Sequence, residues 1–238
     1  MVYYNPRWII VEFLRNRLTD PRKRAETAGS NSFIAEASQT DFDIEETGSG
    51  ISCITSVTVD GVTQTKWLDY YPYFKGSTSS IKRVVFFTGL NQDQSVVVNY
   101  KHGSGLWIFG DKTNDKLSAS KFPRIGILTI VAPEKRVGQF NSDMEARLNF
   151  QIDVWTKERG NNQIFTIDGI NYAGEELAEY IGYQIKKAFE DFESDMHPAL
   201  YGYEALNLPR TMPFNVDLQS HHKVVEIALS SINVGSVE

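Results

Sequence analysis

Asp153 stands mid-run in "LNFQIDVWTK" (148–157), between Ile152 and Val154, and chemistry is most easily imagined there. A strand carboxylate can hold a divalent cation or act as a general base. Asp143, Glu145, Glu158 and Asp168 could join it in an acidic site of the metal-dependent nuclease type. No second acid stands at a short fixed spacing with a lysine to help. Asp153 is therefore expected on the sheet face, turned to solvent or to a neighbouring subunit. The histidines are His102, His197, His221 and His222. Adjacent strand residues point to opposite faces, so His221 and His222 cannot chelate one ion; one outward and one half-buried ring is expected. "GSGISC" (48–53) and "GSGLWI" (103–108) each lack the third glycine of a dinucleotide loop and open no helix, and no Walker-type phosphate loop occurs. No serine sits in a nucleophile elbow. Cys53 is the single cysteine, so no intrachain disulfide can form, and it reads as a small buried hydrophobe. The residues point to a non-enzyme with no cofactor and no metal.

The elements that carry these residues fall into two styles. "NPRWIIVEFLRNRLTDPRKR" (5–24) places Asn5 as N-cap and Pro6 at the first helical position, with Trp8, Ile9, Val11, Phe13, Leu14 and Leu18 as an apolar stripe and Pro21 as its stop. The basic run Arg22-Lys23-Arg24 reads as a solvated helix end, and residues 22–40, small and polar, as a linker or long loop. From Asp41 to about Gly110 the grammar is short strands: "DFDIEE", "ISCITSVTVDG", "VTQTKWLDYYPYF", "IKRVVFFTG" and "QSVVVNYKHG". Asp60-Gly61 is a type I′ hairpin turn flanked by Val57, Val59 and Val62. About five strands at this spacing make a small β-sandwich or half-open barrel.

The first style then returns. Residues 122–132 and 145–157 are strands, the second with Phe150, Ile152 and Val154 on one side and Gln151, Asp153 and Trp155 on the other. Between them "APEKRVGQFNSDMEA" has 15 residues, long beside the usual hairpin loop of about 2–5, and a loop of that length generally has a task. Residues 173–193 form a helix with Leu177, Ile181, Ile185, Ala188 and Phe192 inward and Glu175 and Glu176 at its positive end. Strands at about 208–219 and 222–232 follow. The fold class is α+β, a mostly antiparallel sheet covered by two helices (residues 1–30 and 119–238) with an inserted small all-β domain (31–118).

With 238 residues, 41% hydrophobic and 23% charged, the chain can bury a substantial core, and one large or two small domains of roughly 100–200 residues fit. A net charge of -6 argues against a basic nucleic-acid-binding face. No apolar run approaches the roughly 20 residues that cross a bilayer, and the start "MVYYNPRW" lacks a signal peptide's regions. A soluble protein with no membrane partner, made in a cytoplasm, is expected.

The order of helix, "FPRIGI", "LNFQIDVWTK", "AGEELAEYIGYQIKKAF" and a final strand pair resembles the tail-terminator (tail-completion) and related neck proteins of tailed bacteriophages. The block 41–100 resembles a small β-module of virion tail and baseplate proteins, through Val57, Val59, Asp60, Gly61, Asp69, Tyr70, Phe86, Gly89, Val96, Val98 and Tyr100. The simple members of the family are shorter and lack an insertion. The resemblance implies a virion protein forming a homo-oligomeric ring, a hexamer, at the head-proximal end of the tail tube. Its partners are then the tube protein and the head-side connector or stopper, with DNA passing through without specific binding. Arg124, Glu134, Lys135, Arg136, Asp143, Glu145 and Asp153 are the interaction residues it suggests. A stopper, an adaptor or a tube subunit fits the same residues. From a different class, Trp67, Tyr70, Tyr71, Tyr73 and Trp107 could form an aromatic platform for sugars.

Overall fold

The computed structural model describes residues 6–44, 50–74, 80–103, 106–110, 121–130, 134–136, 144–158, 163–191, 200–205, 209–215 and 219–232. Among the described residues, two helices and mostly antiparallel sheet make it an α+β protein. The chain divides into two compact units, Lys23–Leu106 and Met1–Arg22 with Trp107–Glu238.

Lys23–Leu106 holds β1 (Glu26–Ile34), β2 (Gln39–Asp43), β3 (Ile51–Val59), β4 (Val62–Thr63), β5 (Tyr70–Phe74), β6 (Ile81–Leu90) and β7 (Ser95–Gly103). The main strand order is β1-β7-β3-β6-β2, with β4 on β3 and β5 on β6, all antiparallel. The ladder between β3 and β6 is the single pair Ile51↔Ile81, so the sheet has two parts, the four strands β1-β7-β3-β4 and the three strands β2-β6-β5. Apolar side chains fill the unit's core: Phe42 meets Phe33 of β1 at 5.4 Å and Phe86 of β6 at 5.6 Å, and Tyr70 lies 6.1 Å from Phe86. Val96, Val98 and Tyr100 of β7 are buried at every second position, the period of a strand with one face inward. At Asp60-Gly61 both residues have positive φ (49° and 79°), and Val59 pairs with Val62 across the turn. The Asp60 carboxylate accepts the Ser95 N–H at 2.8 Å and the Gln94 amide at 2.9 Å, which holds it below the usual carboxylate range.

The segment expected as a linker is instead β1, paired residue for residue with β7 from Glu26↔Gly103 to Ile34↔Ser95. Its composition hid it. β1 is an edge strand, largely exposed, and backbone hydrogen bonds rather than apolar alternation specify it. The change between units accordingly falls at residues 22/23 and 106/107 rather than at 30/31 and 118/119.

The second unit opens with α1 (Pro6–Arg17), where Ile10, Val11 and Leu14 are fully buried. After it come β8 (Ile108–Phe109), β9 (Arg124–Ile130), β10 (Glu134–Arg136), β11 (Met144–Lys157), β12 (Phe165–Ile167) and β13 (Ile170–Tyr172). α2 (Gly174–Asp191), β14 (Leu200–Ala205), β15 (Arg210–Thr211) and β16 (Ser220–Ile232) complete it. The sheet order is β14-β16-β11-β9-β8, with β10 on β11 and β15 on β16, while β12 and β13 form a separate hairpin. β11 and β16 pair over thirteen positions, from Glu145↔Ile232 to Lys157↔Ser220. α2 packs on β16 and β11 and α1 on β9 and β8, so one face of the sheet is buried under helices. Ile125, Ile127, Phe150, Ile152, Val154, Val225 and Ile227 supply that face, each at most 2% exposed. Two hydrogen bonds from the Arg15 guanidinium to the Ile108 carbonyl (3.1 and 2.6 Å) tie α1 to β8.

Three expectations need correction in this unit. Of the described residues within 208–219, Arg210–Thr211 pairs with β16 as a two-residue strand and Asn215 adds an isolated bridge to Ser220, while the longer partner is β14. Pro209 and Pro213 explain it, since proline cannot donate to a ladder. The 15-residue link is partly strand, because β10 pairs with Met144–Ala146. Arg22 is not simply part of a solvated helix end: α1 stops at Arg17, and the Arg22 Nε–H donates to the Phe122 carbonyl at 2.8 Å, with the guanidinium over the Phe165 ring at 5.2 Å. Burial lowers the pKa of that guanidinium. Asn5 and Phe192 lie outside the described residues. Among the described residues, no helix is long and apolar enough to cross a membrane.

Candidate functional site

The pairing of β11 with β16 brings together residues far apart in sequence. Trp155 lies opposite His222 on one side and opposite Arg124 of β9 on the other, so all three share a face. That face is the one away from the helices, because Val154, Thr156 and their partners Lys223 and His221 occupy the other. On the helix side the Thr156 hydroxyl donates to the Gly174 carbonyl at 2.6 Å, and the Lys223 ammonium donates to Glu179 of α2 at 3.1 Å and to the Thr211 hydroxyl at 3.0 Å.

On the outer face Asp153 is 3% exposed. Its Oδ1 accepts the Gln151 amide at 2.8 Å and stands 2.9 Å from His222 Nε2. A carboxylate can only accept, so the ring's proton in this contact sits on Nε2. The His222 ring is stacked on the Trp155 indole, with centroids 4.0 Å apart and planes at 8°. Arg124 lies over the Phe109 ring, its Cζ 3.9 Å from the centroid. Two positions of each imidazole are thus fixed, one by a carboxylate and one by an aromatic ring. His221 repeats the arrangement on the other face, with Glu158 Oε2 at 2.7 Å from Nε2 and the Phe214 ring at 4.6 Å.

Asp153 is therefore not turned to solvent. A buried carboxylate requires partners, and the sheet register supplies Gln151 and His222. Nor is one histidine outward and the other half-buried: both are partly buried, and each is held by its own acid. Asp153 and Glu158 lie on opposite faces of the sheet and Asp168 sits in the exposed β12–β13 turn, so these acids do not converge. Among the described residues no group of three or more His, Cys, Asp or Glu is placed to hold a metal. Of the suggested interaction residues, Glu134, Lys135, Arg136 and Glu145 lie in the β10–β11 ladder, Arg124 is half-buried beside Phe109, and Asp143 is outside the described residues. The aromatic platform is not assembled as expected: Trp67, Tyr70 and Trp107 are each 9% exposed or less.

What this cluster does chemically is hold an imidazole in one orientation. Asp153→Ala removes a nearly buried acceptor from two polar groups and is expected to cost about 1–3 kcal/mol. Asp153→Asn, which keeps an oxygen at that place, should recover most of it. Urea denaturation midpoints of the two variants against the parent give the answer, and equal losses in both would contradict the acceptor role.

The fold and cluster define an α+β chain of mostly antiparallel sheet with two helices, carrying a carboxylate–imidazole pair on its outer face. No family model matches the sequence, and no curated protein or solved structure matches it.

Proposed function

We propose that the chain is a structural protein of a tailed-phage virion, a tail terminator whose copies close a ring at the head-proximal end of the tail tube and join it to the head connector. The observation that carries this reading is the one-sided sheet: α1 and α2 cover one face of β9, β11 and β16, and β14 ends the strand order with β16 as its partner among the described strands. A six-residue edge strand of this kind can extend its ladder into a neighbouring copy, and a head-to-tail contact that closes makes a ring. Arg124 and the β10–β11 hairpin are the elements assigned to the tube side. Asp153 is assigned a different task, since its carboxylate is engaged by Gln151 and His222 within the subunit. Lys23–Leu106 is read as a small all-β sandwich or barrel inserted in the chain between α1 and β8. Net charge of -6 suits a channel through which DNA slides without specific contact.

Light scattering on the purified protein, followed by negative-stain class averages, tests the reading. The expected result is a discrete ring, of six copies by the resemblance. Open filaments would favour the tube-subunit alternative, and a protein that stays monomeric at high concentration would remove the proposal.

A further inference from the structure

The outer face of β2, β6 and β5 carries a patterned set of side chains that the ring reading does not use. Cross-strand register sets Asp43, Arg83 and Tyr73 in one row, and Asp41, Val85 and Tyr71 in the next. Their neighbours Phe42, Val84 and Phe74 point inward and are buried, so the two rows lie on the opposite, outward face. Phe87 extends the aromatic column, its ring 5.4 Å from that of Tyr71 and tilted by 33°. Arg83 links the columns: its Nε is 2.9 Å from Asp43 Oδ1 and its Cζ is 5.5 Å from the centre of the Tyr73 ring. Tyr73 is 45% exposed. Partial burial first, and then the charge of Asp41, raise the pKa of the Tyr71 phenol, which keeps it a hydroxyl donor.

We propose that this face binds a neutral oligosaccharide, with sugar rings laid on Tyr71 and Tyr73 and their hydroxyls bonded by Arg83, Asp41 and Asp43. Its chemistry selects that class. The aromatic and carboxylate columns are two strand spacings apart, about 10 Å, so a ring resting on the tyrosines turns its hydroxyl edge toward the charged groups. A guanidinium only donates and a carboxylate only accepts, whereas a sugar hydroxyl does both and can satisfy each as water leaves. An apolar protein surface would strip water from two carboxylates and a guanidinium without replacing those bonds. Nucleic acid is disfavoured by two carboxylates against one guanidinium on the face. A face built from strands suits a flat, extended chain, so the commitment is to β-1,4-linked glucose or N-acetylglucosamine units with equatorial substituents. The proposal stands apart from the ring reading.

Calorimetric titration of the full chain with cellotetraose and chitotetraose is the experiment. Binding of one of them is expected, weakened about tenfold by Tyr73→Ala and by Tyr71→Ala, roughly the loss of one aromatic contact. Because Tyr73 is an outer residue, Tyr73→Ala should leave the melting temperature close to the parent's, which separates lost binding from lost folding. Absence of binding to both saccharides overturns the proposal. So does binding that survives both tyrosine variants. A hexalysine peptide that binds in a tyrosine-dependent way, where neither saccharide does, would make the face a protein surface and equally overturn it.

Discussion

Replacing Phe189 with alanine is expected to lower the stability of the helix-covered unit by about 3–5 kcal/mol. Phe189 is fully buried on α2 and its ring lies 5.1 Å from that of Phe13 on α1, so it joins the two helices over the sheet. Truncation removes the transfer energy of the ring and leaves a cavity that two helices and a sheet cannot close together. Against a total stability of about 5–15 kcal/mol for a domain, that is a large fraction. At roughly 2–4 °C per kcal/mol, the melting temperature should fall by about 6–20 °C. Two controls sharpen the result. Phe189→Leu keeps most of the volume and should cost about a third as much. Tyr183→Ala, at a residue of the same helix that is 61% exposed, should change stability by less than about 0.5 kcal/mol. Thermal unfolding followed by circular dichroism measures all three. A loss for Phe189→Ala no greater than that for Tyr183→Ala would mean that the two helices do not share this core.

The parts of the fold that were legible in the sequence are those whose signal is local. α2 repeats apolar residues at Leu177, Ile181 and Ile185, and the observed helix starts and ends within two residues of the reading. β11 alternates, and Phe150, Ile152 and Val154 do face away from Gln151, Asp153 and Trp155. The misses have other causes. β1 carries few apolar side chains and is held by its ladder with β7, which no window of sequence contains. The hairpin of β12 and β13 was within reach: Asp168-Gly169, with φ of 51° and 81°, carries the same turn signature as Asp60-Gly61 but is flanked by strands of only three residues.

The candidate cluster was less accessible than the fold. Asp153 and His222 are separated by 69 positions in sequence and meet only through the β11–β16 register. A shift of one residue in that register would turn His222 to the helix side and bring His221 to Asp153, because side chains alternate at every step. Sequence patterning placed Asp153 on the outer face but could not supply its partner. The expected aromatic platform divides for a related reason: an aromatic residue in a strand is outward or core according to its parity. Tyr70 and Trp67 went inward while Tyr71 and Tyr73 stayed on the outer side, and Phe87, in another strand, completed their column.

Phe42→Ala should do to Lys23–Leu106 what Phe189→Ala does to the other unit. Phe42 is 1% exposed and touches the rings of Phe33 and Phe86, one on each of the sheet's two parts. The β3–β6 ladder between those parts is one residue pair, so side-chain packing rather than backbone hydrogen bonding must hold them together. A cost of about 3–5 kcal/mol is expected, and at roughly 4–8 °C per kcal/mol for a unit of this size it reaches the scale of complete unfolding near physiological temperature. The informative measurement is hydrogen exchange by mass spectrometry on the full chain. If Lys23–Leu106 is an inserted module with its own cooperative core, peptides from β2, β6 and β7 lose protection in Phe42→Ala while those from β11, α2 and β16 keep theirs; Phe189→Ala gives the mirror image. Loss of protection throughout the chain in both variants would make it one cooperative body, and the module could no longer be treated as a passenger on the ring subunit.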